Sequence, residues 1–285
     1  MKPSFVFFGS PDIAVASLNA LFQAGLIPHT IVTAPDAPQG RGMVLTPPPA
    51  KVWALEHAIP VLQPKKLSDP TVVSALHASP SDFFVVVAYG KIIPQSILDI
   101  PRLGTLNMHP SLLPRHRGPS PIESQIVHEE HLSGVGVSIM LLDEKMDHGP
   151  VLAHTALTDT TLPWPMSAHT LRPLLAETGA HLLVKTLSAY LEGALSPQPQ
   201  DDAHATYCAI IKKEDALIQL TDDAYTNYKK ILAYSLWPRA FFFAEKNGKH
   251  VRVVITSARF ENNTLIIERV IPEGKREMTY AEFLS

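Results

Sequence analysis

One apolar run, residues 83–87, constrains the fold of this chain more than any other segment. It reads F-F-V-V-V without a polar interruption, which is typical of a central strand that a parallel sheet buries on both faces. Residues 5–8 have the same character and are followed by signals for a tight turn and a helix. A further strand is predicted at residues 29–34. Two parallel strands joined by a helix predict a doubly wound α/β sheet.

Length and composition indicate a globular protein of two domains. The chain has 285 residues, of which 46% are hydrophobic, so it can bury a sizeable core. Its single cysteine, Cys208, excludes an intrachain disulfide, and no C-x-x-C pair is present to hold zinc. We therefore expect a reducing, cytoplasmic location. The apolar run at residues 5–8 is too short for a signal peptide or a membrane span, so no membrane association is expected.

The charge distribution gives only a weak indication of a polyanionic partner. The net charge is −3, but residues 206–285 contain 12 basic and 10 acidic residues, which leaves 12 basic and 17 acidic residues before them. The C-terminal part is therefore slightly positive and the remainder negative. This asymmetry permits a nucleic-acid contact through the C-terminal part without requiring one.

The richest loop chemistry lies in residues 106–122, which read L-N-M-H-P-S-L-L-P-R-H-R-G-P-S-P-I. Asn107 and His109 are two residues apart at the end of a predicted strand, so their side chains should point to the same face. An amide N–H and an imidazole can then converge on one small group, such as a carbonyl under attack by an amine. Pro110 and Pro114 favour extended backbone before them, which stiffens the loop. The sequence does not fix whether the Leu113–Pro114 bond is cis or trans.

Other loops leave their roles open. Gly9 and Ser10 either form a tight turn or line a cleft at the carboxyl ends of the strands. A lone glycine is no dinucleotide fingerprint. Residues 35–49 contain five prolines and are predicted to lack regular structure, as a functional or a solvated loop. The scattered histidines lack the partners that a metal site needs, so no metal is predicted.

Motifs then point to a family. The run N-M-H-P-S-L-L-P-R-H-R-G-P-S-P-I resembles the N-x-H-x-S-L-L-P-x-x-R-G-x-x-P-I signature of the folate-dependent formyltransferases. Three further segments are similar to the methionyl-tRNA formyltransferases within that superfamily. They are P-D-A-P-Q-G-R-G at residues 35–42, the Trp237–Pro238 pair and P-E-G-K-R-E-M-T-Y-A-E-F-L at residues 272–284. The resemblance covers nearly the whole chain.

The resemblance implies a fold and a division into domains. The expected architecture is a doubly wound, mostly parallel α/β sheet of Rossmann-like type, with a smaller C-terminal β-rich domain that is OB-like. We predict a catalytic domain at residues 1–191, a linker at residues 192–205 and the C-terminal domain at residues 206–285. An OB barrel needs five strands, whereas only residues 241–245, 251–257 and 264–270 read as strands there. The C-terminal domain is therefore expected to be abbreviated.

The resemblance also implies a reaction, in which a formyl group passes from 10-formyltetrahydrofolate to the amine of methionyl-initiator tRNA. The family pattern of an acid followed by x-G places Asp147 and Gly149 beside Asn107 and His109. Asp143 is the rival acid, but it lies four residues earlier and fits the turn after a strand predicted at residues 135–142. The catalytic set is therefore predicted to be Asn107, His109 and Asp147, with Asp147 orienting the imidazole.

Binding residues follow from the same resemblance. The folate is expected to meet the loop after the central strand, the proline-rich loop and the glycine after the acid: Val86, Ala88, Tyr89, Gly90, Ser111, Leu112, Leu113, Pro114 and Gly149. The remaining substrate contacts are predicted at Gly9, Ser10, Arg41, Arg115 and Arg117. The two arginines of the proline-rich loop meet either the glutamate tail of folate or tRNA phosphates, and the alternative for Arg117 is an ion pair that braces the loop.

Two features weaken the tRNA interpretation, and three alternatives stay open. Met43, Val44 and Leu45 stand where lysines are common in the family, which removes phosphate contacts, and the C-terminal domain is short. An amino-sugar N-formyltransferase shares the same loop and acid. A formyl-folate hydrolase would use water as the nucleophile. A non-catalytic folate- or RNA-binding relative would keep the fold alone. We expect partners limited to folate and tRNA, and a monomer.

Overall fold

The structure is a computed structural model that describes residues 3–40, 42–246 and 248–285. The strands in chain order are β1 (Phe5–Gly9), β2 (Thr30–Val32), β3 (Ala37–Gln39), β4 (Val44–Thr46), β5 (Val61–Leu62), β6 (Phe83–Val87), β7 (Thr105–His109), β8 (Gly136–Leu141), β9 (Val151–Ala156), β10 (Phe241–Lys246), β11 (Lys249–Glu261), β12 (Thr264–Pro272) and β13 (Met278–Thr279). The α-helices are α1 (Asp12–Gln23), α2 (Pro49–Glu56), α3 (Pro70–Ala78), α4 (Gln95–Leu98), α5 (Pro121–His128), α6 (Ala168–Leu191), α7 (Ala224–Ala233) and α8 (Tyr280–Leu284).

The chain divides into two compact units, neither of which is continuous in sequence. The first unit comprises the described residues up to Pro119 together with Gly136–Ala156 and Pro173–Tyr207. The second comprises Ser120–Val135, Leu157–Arg172 and Cys208–Ser285. The division into residues 1–191, 192–205 and 206–285 stays a prediction about domains, because each compact unit takes residues from both sides of those boundaries.

A seven-stranded sheet forms the centre of the first unit, in the order β5-β2-β1-β6-β7-β8-β9. The strands from β5 to β7 are parallel, whereas β8 and β9 are antiparallel to their neighbours. All five residues of β6 are buried, as the apolar run predicts for a central strand. The predicted doubly wound, mostly parallel sheet is therefore confirmed.

The loop predicted to lack regular structure is a β-hairpin. Strand β3 pairs with β4, with Pro38 opposite Leu45, so that prediction was wrong. Proline is tolerated because a two-stranded ribbon leaves one edge of each strand without a partner, and the missing N–H is not needed there. Lys51 and Gln63 both bond Asp36 at the base of the hairpin, at 2.8 and 2.7 Å.

The second unit contains a four-stranded antiparallel sheet in the order β10-β11-β12-β13. Asn262 and Asn263 both have positive φ and form the tight turn between β11 and β12, as their sequence predicts. Helices α7 and α8 pack on this sheet, and Phe242, Val253 and Phe283 belong to the shared core. The β-rich C-terminal part is confirmed, with one more strand, β13, than the sequence predicts. Among the described helices, none is long and apolar enough to cross a membrane.

Candidate active site

Strand β7 presents Asn107 and His109 on one face of the sheet. Their side chains are largely buried, with 8% and 4% of each residue exposed. Met108, between them, points the other way, where its sulfur lies 3.5 Å from the hydroxyl of Ser17 on α1. Because side chains alternate along a strand, Met108 anchors the helix-facing side while its neighbours are left for chemistry.

The two nitrogens of His109 have different environments. Nε2 lies 3.0 Å from the backbone carbonyl of His116, which can only accept a hydrogen bond, so Nε2 carries the proton. Nδ1 faces Asp147, whose Oδ1 lies 3.7 Å away. This separation is an ion-pair distance rather than a hydrogen bond. Nδ1 is therefore the nitrogen that is placed to exchange a proton beside a carboxylate.

Asp147 reaches His109 from a loop rather than from a neighbouring strand end. Strand β8 runs antiparallel to β7, so its last residue, Leu141, pairs with Leu106. That position is three residues, or roughly 10 Å, from His109 along β7. The loop after β8 must therefore turn back along the sheet to deliver the acid.

Backbone conformation and contacts distinguish Asp147 from the rival acid. Asp147 has a positive φ of 49°, and its Oδ2 accepts a hydrogen bond of 2.8 Å from the backbone N–H of Gly118. This bond joins the loop of the acid to the proline-rich loop. Asp143 instead pairs with His148, with 2.7 Å between Oδ2 and Nδ1. The carboxylate of Asp143 therefore pairs with His148 rather than with His109.

Hydrogen bonds within the proline-rich loop and from the loop to β8 fix its conformation. The hydroxyl of Ser111 donates to the carbonyl of Arg115 at 2.7 Å, and the hydroxyl of Ser138 donates to the carbonyl of Ser111 at 2.7 Å. The backbone N–H of Leu113 donates to Ser138 Oγ at 3.0 Å. Leu113–Pro114 is a cis peptide. The predicted folate residue Ser111 is therefore fully buried and used within the loop, and any contribution of its hydroxyl to a ligand is indirect.

Arg117 is buried in an ion pair, which favours the bracing alternative over the predicted substrate contact. Its side chain is fully buried, and its guanidinium forms an ion pair of 2.8 Å with Asp202. It also donates to Gln200 at 3.0 Å and to the hydroxyl of Tyr207 at 3.1 Å. The hydrogen bond from Arg117 holds the pKa of Asp202 below its ordinary value. The alternative interpretation, an ion pair that braces the loop, describes this geometry. The other two arginines differ: Arg115 is half-buried, whereas Arg41 lies outside the described residues.

The loop after β6 exposes backbone groups, whereas its aromatic ring is buried. Tyr89 was expected to bound a flat ligand, but it is 4% exposed and packs edge-on against Phe8, with ring centroids 5.6 Å apart. Burial raises the pKa of Tyr89 to about 12. Ala88 and Gly90 are exposed and have φ of 49° and 77°. Their backbone groups are therefore accessible, and the expectation for the tyrosine ring was wrong.

Gly9 and Ser10 serve the packing of β1. A Cβ on Gly9 would lie 2.7 Å from the Cβ of Ala14 and 2.8 Å from the carbonyl of Val87, so only glycine fits. The hydroxyl of Ser10 accepts hydrogen bonds from the hydroxyl of Thr33 and the N–H of Ala34, at 3.1 and 3.0 Å. The tight-turn interpretation accounts for both residues, and the substrate-binding prediction has no support from their contacts.

Sequence reasoning missed the segment that follows α6. This segment reads as a polar linker, yet its side chains bond both loops of the site. Gln200 bonds the loop of Asp147, and the proline-rich loop is bonded by Asp202, Thr206 and Tyr207. No local signal separates Gln200 from Gln198, which lies in the same proline- and glutamine-rich stretch. In the described part of the chain, no group of three or more His, Cys, Asp or Glu side chains is arranged to hold a metal ion.

Sequence comparison places this geometry among known proteins. Residues 1–186 match the family described as formyl transferase. The methionyl-tRNA formyltransferase of Chloroflexus aurantiacus is 43% identical over 266 residues, which cover 93% of this chain and 84% of the relative. The methionyl-tRNA formyltransferase of Myxococcus xanthus is 38% identical over 303 residues, covering 99% of this chain and 95% of the relative.

Solved structures share the fold at low sequence identity. The methionyl-tRNA formyltransferase from Clostridium thermocellum has a TM-score of 0.62 and 16% identity, over 95% of this chain and 98% of its own. A sugar N-formyltransferase from a Shewanella species has a TM-score of 0.64 and 14% identity, over 88% of this chain and 96% of its own. HypX from Aquifex aeolicus in complex with tetrahydrofolic acid has a TM-score of 0.66 and 14% identity, over 100% of this chain and 47% of its own.

Proposed function

This chain belongs to the formyl transferase family and, within it, to the methionyl-tRNA formyltransferases, and from that premise we propose that it formylates the α-amine of methionyl-initiator tRNA. The proposed donor is a tetrahydrofolate derivative, 10-formyltetrahydrofolate. The observation that carries the proposal is the carboxylate of Asp147 lying 3.7 Å from the imidazole of His109, on a strand that carries Asn107 two residues earlier. The Myxococcus relative matches this chain over 95% of its own length.

Asn107 is proposed to donate to the formyl oxygen. The amine attacks the formyl carbon, and negative charge develops on that oxygen as the new C–N bond forms. A fixed donor at such a position is worth roughly 3 to 4 kcal/mol of the barrier. Burial of Asn107 supports this role, because a hydrogen bond to charge is stronger where water is excluded.

His109 and Asp147 are proposed to transfer a proton from the attacking amine to the leaving folate nitrogen. The attacking amine loses a proton, and the folate nitrogen gains one when its C–N bond to the formyl group breaks. Nδ1 of His109 is the available nitrogen, since Nε2 bonds the carbonyl of His116. The carboxylate of Asp147, 3.7 Å from Nδ1, stabilises the imidazolium that forms between these two steps.

The folate is proposed to lie along the exposed backbone at Ala88 and Gly90, with Leu112, Leu113, Pro114 and Gly149 shaping the rest of its site. Backbone N–H and C=O groups suit the edge of a flat heterocycle, because it presents donors and acceptors side by side.

Residues 206–285, which have a small positive net charge, are proposed to contact the tRNA. In the hairpin of β3 and β4, Met43 and the first two residues of β4, Val44 and Leu45, are exposed. A monomer in the cytoplasm is proposed.

Structural likeness gives the amino-sugar alternative a specific basis. The sugar N-formyltransferase neighbour has a TM-score of 0.64, against 0.62 for the methionyl-tRNA formyltransferase neighbour, so the fold does not separate the two acceptors. The sequence relatives do favour one acceptor, because both the Chloroflexus and the Myxococcus proteins are methionyl-tRNA formyltransferases. The tRNA acceptor is therefore the main proposal.

The test is formylation of Met-tRNA by the purified protein with 10-formyltetrahydrofolate. We expect Asn107→Ala to lower kcat by about 100- to 1,000-fold, the usual effect of losing one such donor. His109→Ala should lose at least as much, and Asp147→Asn should lose more than Asp143→Asn, the matched change at the rival acid. Turnover of a nucleotide-linked amino sugar without turnover of Met-tRNA would contradict the proposal.

A further inference from the structure

The segment after α6 runs along both loops that carry the site. We call residues 198–207 the bracing segment. It begins where Gln198 forms two backbone hydrogen bonds of 2.8 Å with Val151, the first residue of β9. It ends where Thr206 accepts hydrogen bonds from the N–H of His116 through its hydroxyl, at 2.9 Å, and from the N–H of Arg117 through its carbonyl, at 2.9 Å. Everything between these ends lies within the first unit.

Gln200 bonds the backbone of the loop that carries Asp147, and Asp202 also approaches this loop, with its Oδ2 3.6 Å from Nε2 of His148. Its amide nitrogen donates to the carbonyl of Asp147 at 2.9 Å and to the carbonyl of Gly149 at 2.7 Å. Its amide oxygen accepts from Nε of Arg117 at 3.0 Å. Both hydrogens of the amide are therefore used on the two residues that flank His148, and the oxygen is used on a buried cation.

Arg117 fixes which way the amide of Gln200 points. A guanidinium can only donate, so the atom that faces it must be the oxygen of the amide. The nitrogen then has to face the carbonyls of Asp147 and Gly149, which can only accept. Arg117 is itself held by Asp202 at 2.8 Å. The amide is therefore oriented by its partners and presents two donors to the loop.

The loop needs such donors because its backbone is strained. Asp147 has a φ of 49°, in the left-handed region that a non-glycine residue keeps only where its surroundings enforce it. The two hydrogen bonds to the carbonyls of Asp147 and Gly149, on either side of His148, fix the direction of the chain at this point. The same backbone direction points Oδ1 toward His109 and Oδ2 toward the N–H of Gly118.

We propose that Gln200 is a positioning residue for formyl transfer that acts through Asp147. Its two donated hydrogen bonds hold the strained loop in the conformation that keeps the carboxylate beside His109. The inference rests on the proposed function, because the step that it supports is the proton transfer assigned there. It assigns a function to a residue in what the sequence presents as a linker.

Two variants test the inference. Gln200→Glu keeps the shape and the acceptor for Arg117, but its carboxylate cannot donate to the carbonyls of Asp147 and Gly149. Gln200→Met removes all three hydrogen bonds at similar length. Gln198→Glu is the matched control, because the side chain of Gln198 bonds only the carbonyl of Ser196 among the described contacts, while its backbone does the pairing. Thermal unfolding of each variant checks that the protein is folded.

The expected result is a loss in kcat without a matching change in KM. For Gln200→Glu we expect kcat for Met-tRNA formylation to fall by about 10- to 100-fold, the usual effect of misplacing a reacting group by about 1 Å. The KM values for both substrates should stay within about threefold, and Gln198→Glu should behave as the wild type. In the Asp147→Asn background, Gln200→Glu should lower kcat by less than about threefold, because residues that act as a unit are not additive.

Outcomes that overturn the inference are distinct from those that overturn the function. Wild-type kcat in Gln200→Glu, or a loss that is equally large with and without Asp147, overturns the positioning role while leaving formylation intact. A wild-type protein that does not formylate Met-tRNA overturns the function instead. Amide hydrogen exchange of residues 143–149 then decides the inference independently: it should be faster in Gln200→Glu than in Gln198→Glu, and equal rates would overturn it.

Discussion

Three loops of the central sheet near the site each contain a non-glycine residue with a left-handed backbone conformation. Ala88, His116 and Asp147 all have positive φ, at 49°, 60° and 49°, although none is glycine. Each follows a different strand of the central sheet, and two of them contact His109. The carbonyl of His116 bonds His109, and the carboxylate of Asp147 faces it. Strain of this kind persists only where surrounding contacts enforce it, which suits a preorganised site.

Gly149 gives a prediction at this scale. A Cβ at this position would clash with the carbonyl oxygen of Leu141, so Gly149→Ala must displace the loop of Asp147. We expect the free energy of unfolding to fall by about 1 to 3 kcal/mol, as for other overpacked sites, and kcat to fall with it. Urea unfolding and the formylation assay measure the two effects.

Gly42→Ala is the control for that change, because the nearest atom to its added Cβ is 3.6 Å away, an ordinary contact. Its effect on stability should stay within about 0.5 kcal/mol. Equal unfolding midpoints for the two alanine variants would show that the loop of Asp147 accommodates a side chain without moving.

The order and direction of the strands decide the site at the element scale. The parallel strands β6 and β7 end at the same edge of the sheet, which brings Ala88 and Gly90 near the level of His109. The antiparallel strand β8 ends at the other edge, beside Leu106. The acid therefore depends on a long return loop, and the bracing segment stabilises that loop from outside the sheet.

Helix α5 carries a pH-dependent prediction for the second unit. Burial raises the pKa of Glu123 above its ordinary value of 4.5, although Arg172 opposes this. A raised pKa means that the native state binds more protons than the unfolded state around and above pH 4.5. The free energy of unfolding therefore falls as the pH rises through the folded pKa of Glu123. We expect Glu123→Gln to raise the urea midpoint at pH 7.5, with the gain disappearing near pH 4.5.

Glu130, two residues after α5, is the control, because its pKa is shifted in the opposite direction to that of Glu123. Its hydrogen bond of 2.7 Å with Lys229 lowers its pKa, so it contributes stability above pH 4.5 that is lost as pH falls through its folded pKa. Glu130→Gln should therefore lower the midpoint at pH 7.5 and converge with the wild type at low pH. The same sign of change in both variants would refute the assignment for Glu123.

The two compact units interleave along the chain at the scale of the whole molecule. Ser120–Val135 and Leu157–Arg172 belong to the same unit as the C-terminal sheet, although the catalytic strands surround them in sequence. Helix α5 packs on α7 within this unit, and Lys229 joins Glu130. The second unit therefore requires three separate segments, which must fold together.

This arrangement predicts how a truncated protein behaves. A fragment of residues 1–207 contains two segments of the second unit without the sheet that completes it. We expect limited proteolysis to cut this fragment within residues 120–135 and 157–172 faster than it cuts the full chain, because their buried apolar side chains lose their partners. Equal protection of those segments in both proteins would favour a catalytic domain that ends near residue 191, as the sequence predicts.

The sequence by itself determined the sheet, the family and the face of β7 that carries the chemistry. Unbroken apolar runs report burial on both sides of a strand, and the two-residue period places Asn107 and His109 together. Both signals are local, so they need no knowledge of the rest of the fold. The predicted family is confirmed by relatives that cover nearly the whole chain.

Only the tertiary structure decided which side chains around the site are free to act. Arg117 and Tyr89 carry the chemistry of ligand-binding residues, yet packing buries both. Gln200 reads as linker, yet it bonds the carbonyl of Asp147, 53 positions away. The physical reason is that a hydrogen bond between distant segments depends on how the whole chain closes, whereas composition and periodicity record only what each segment does alone.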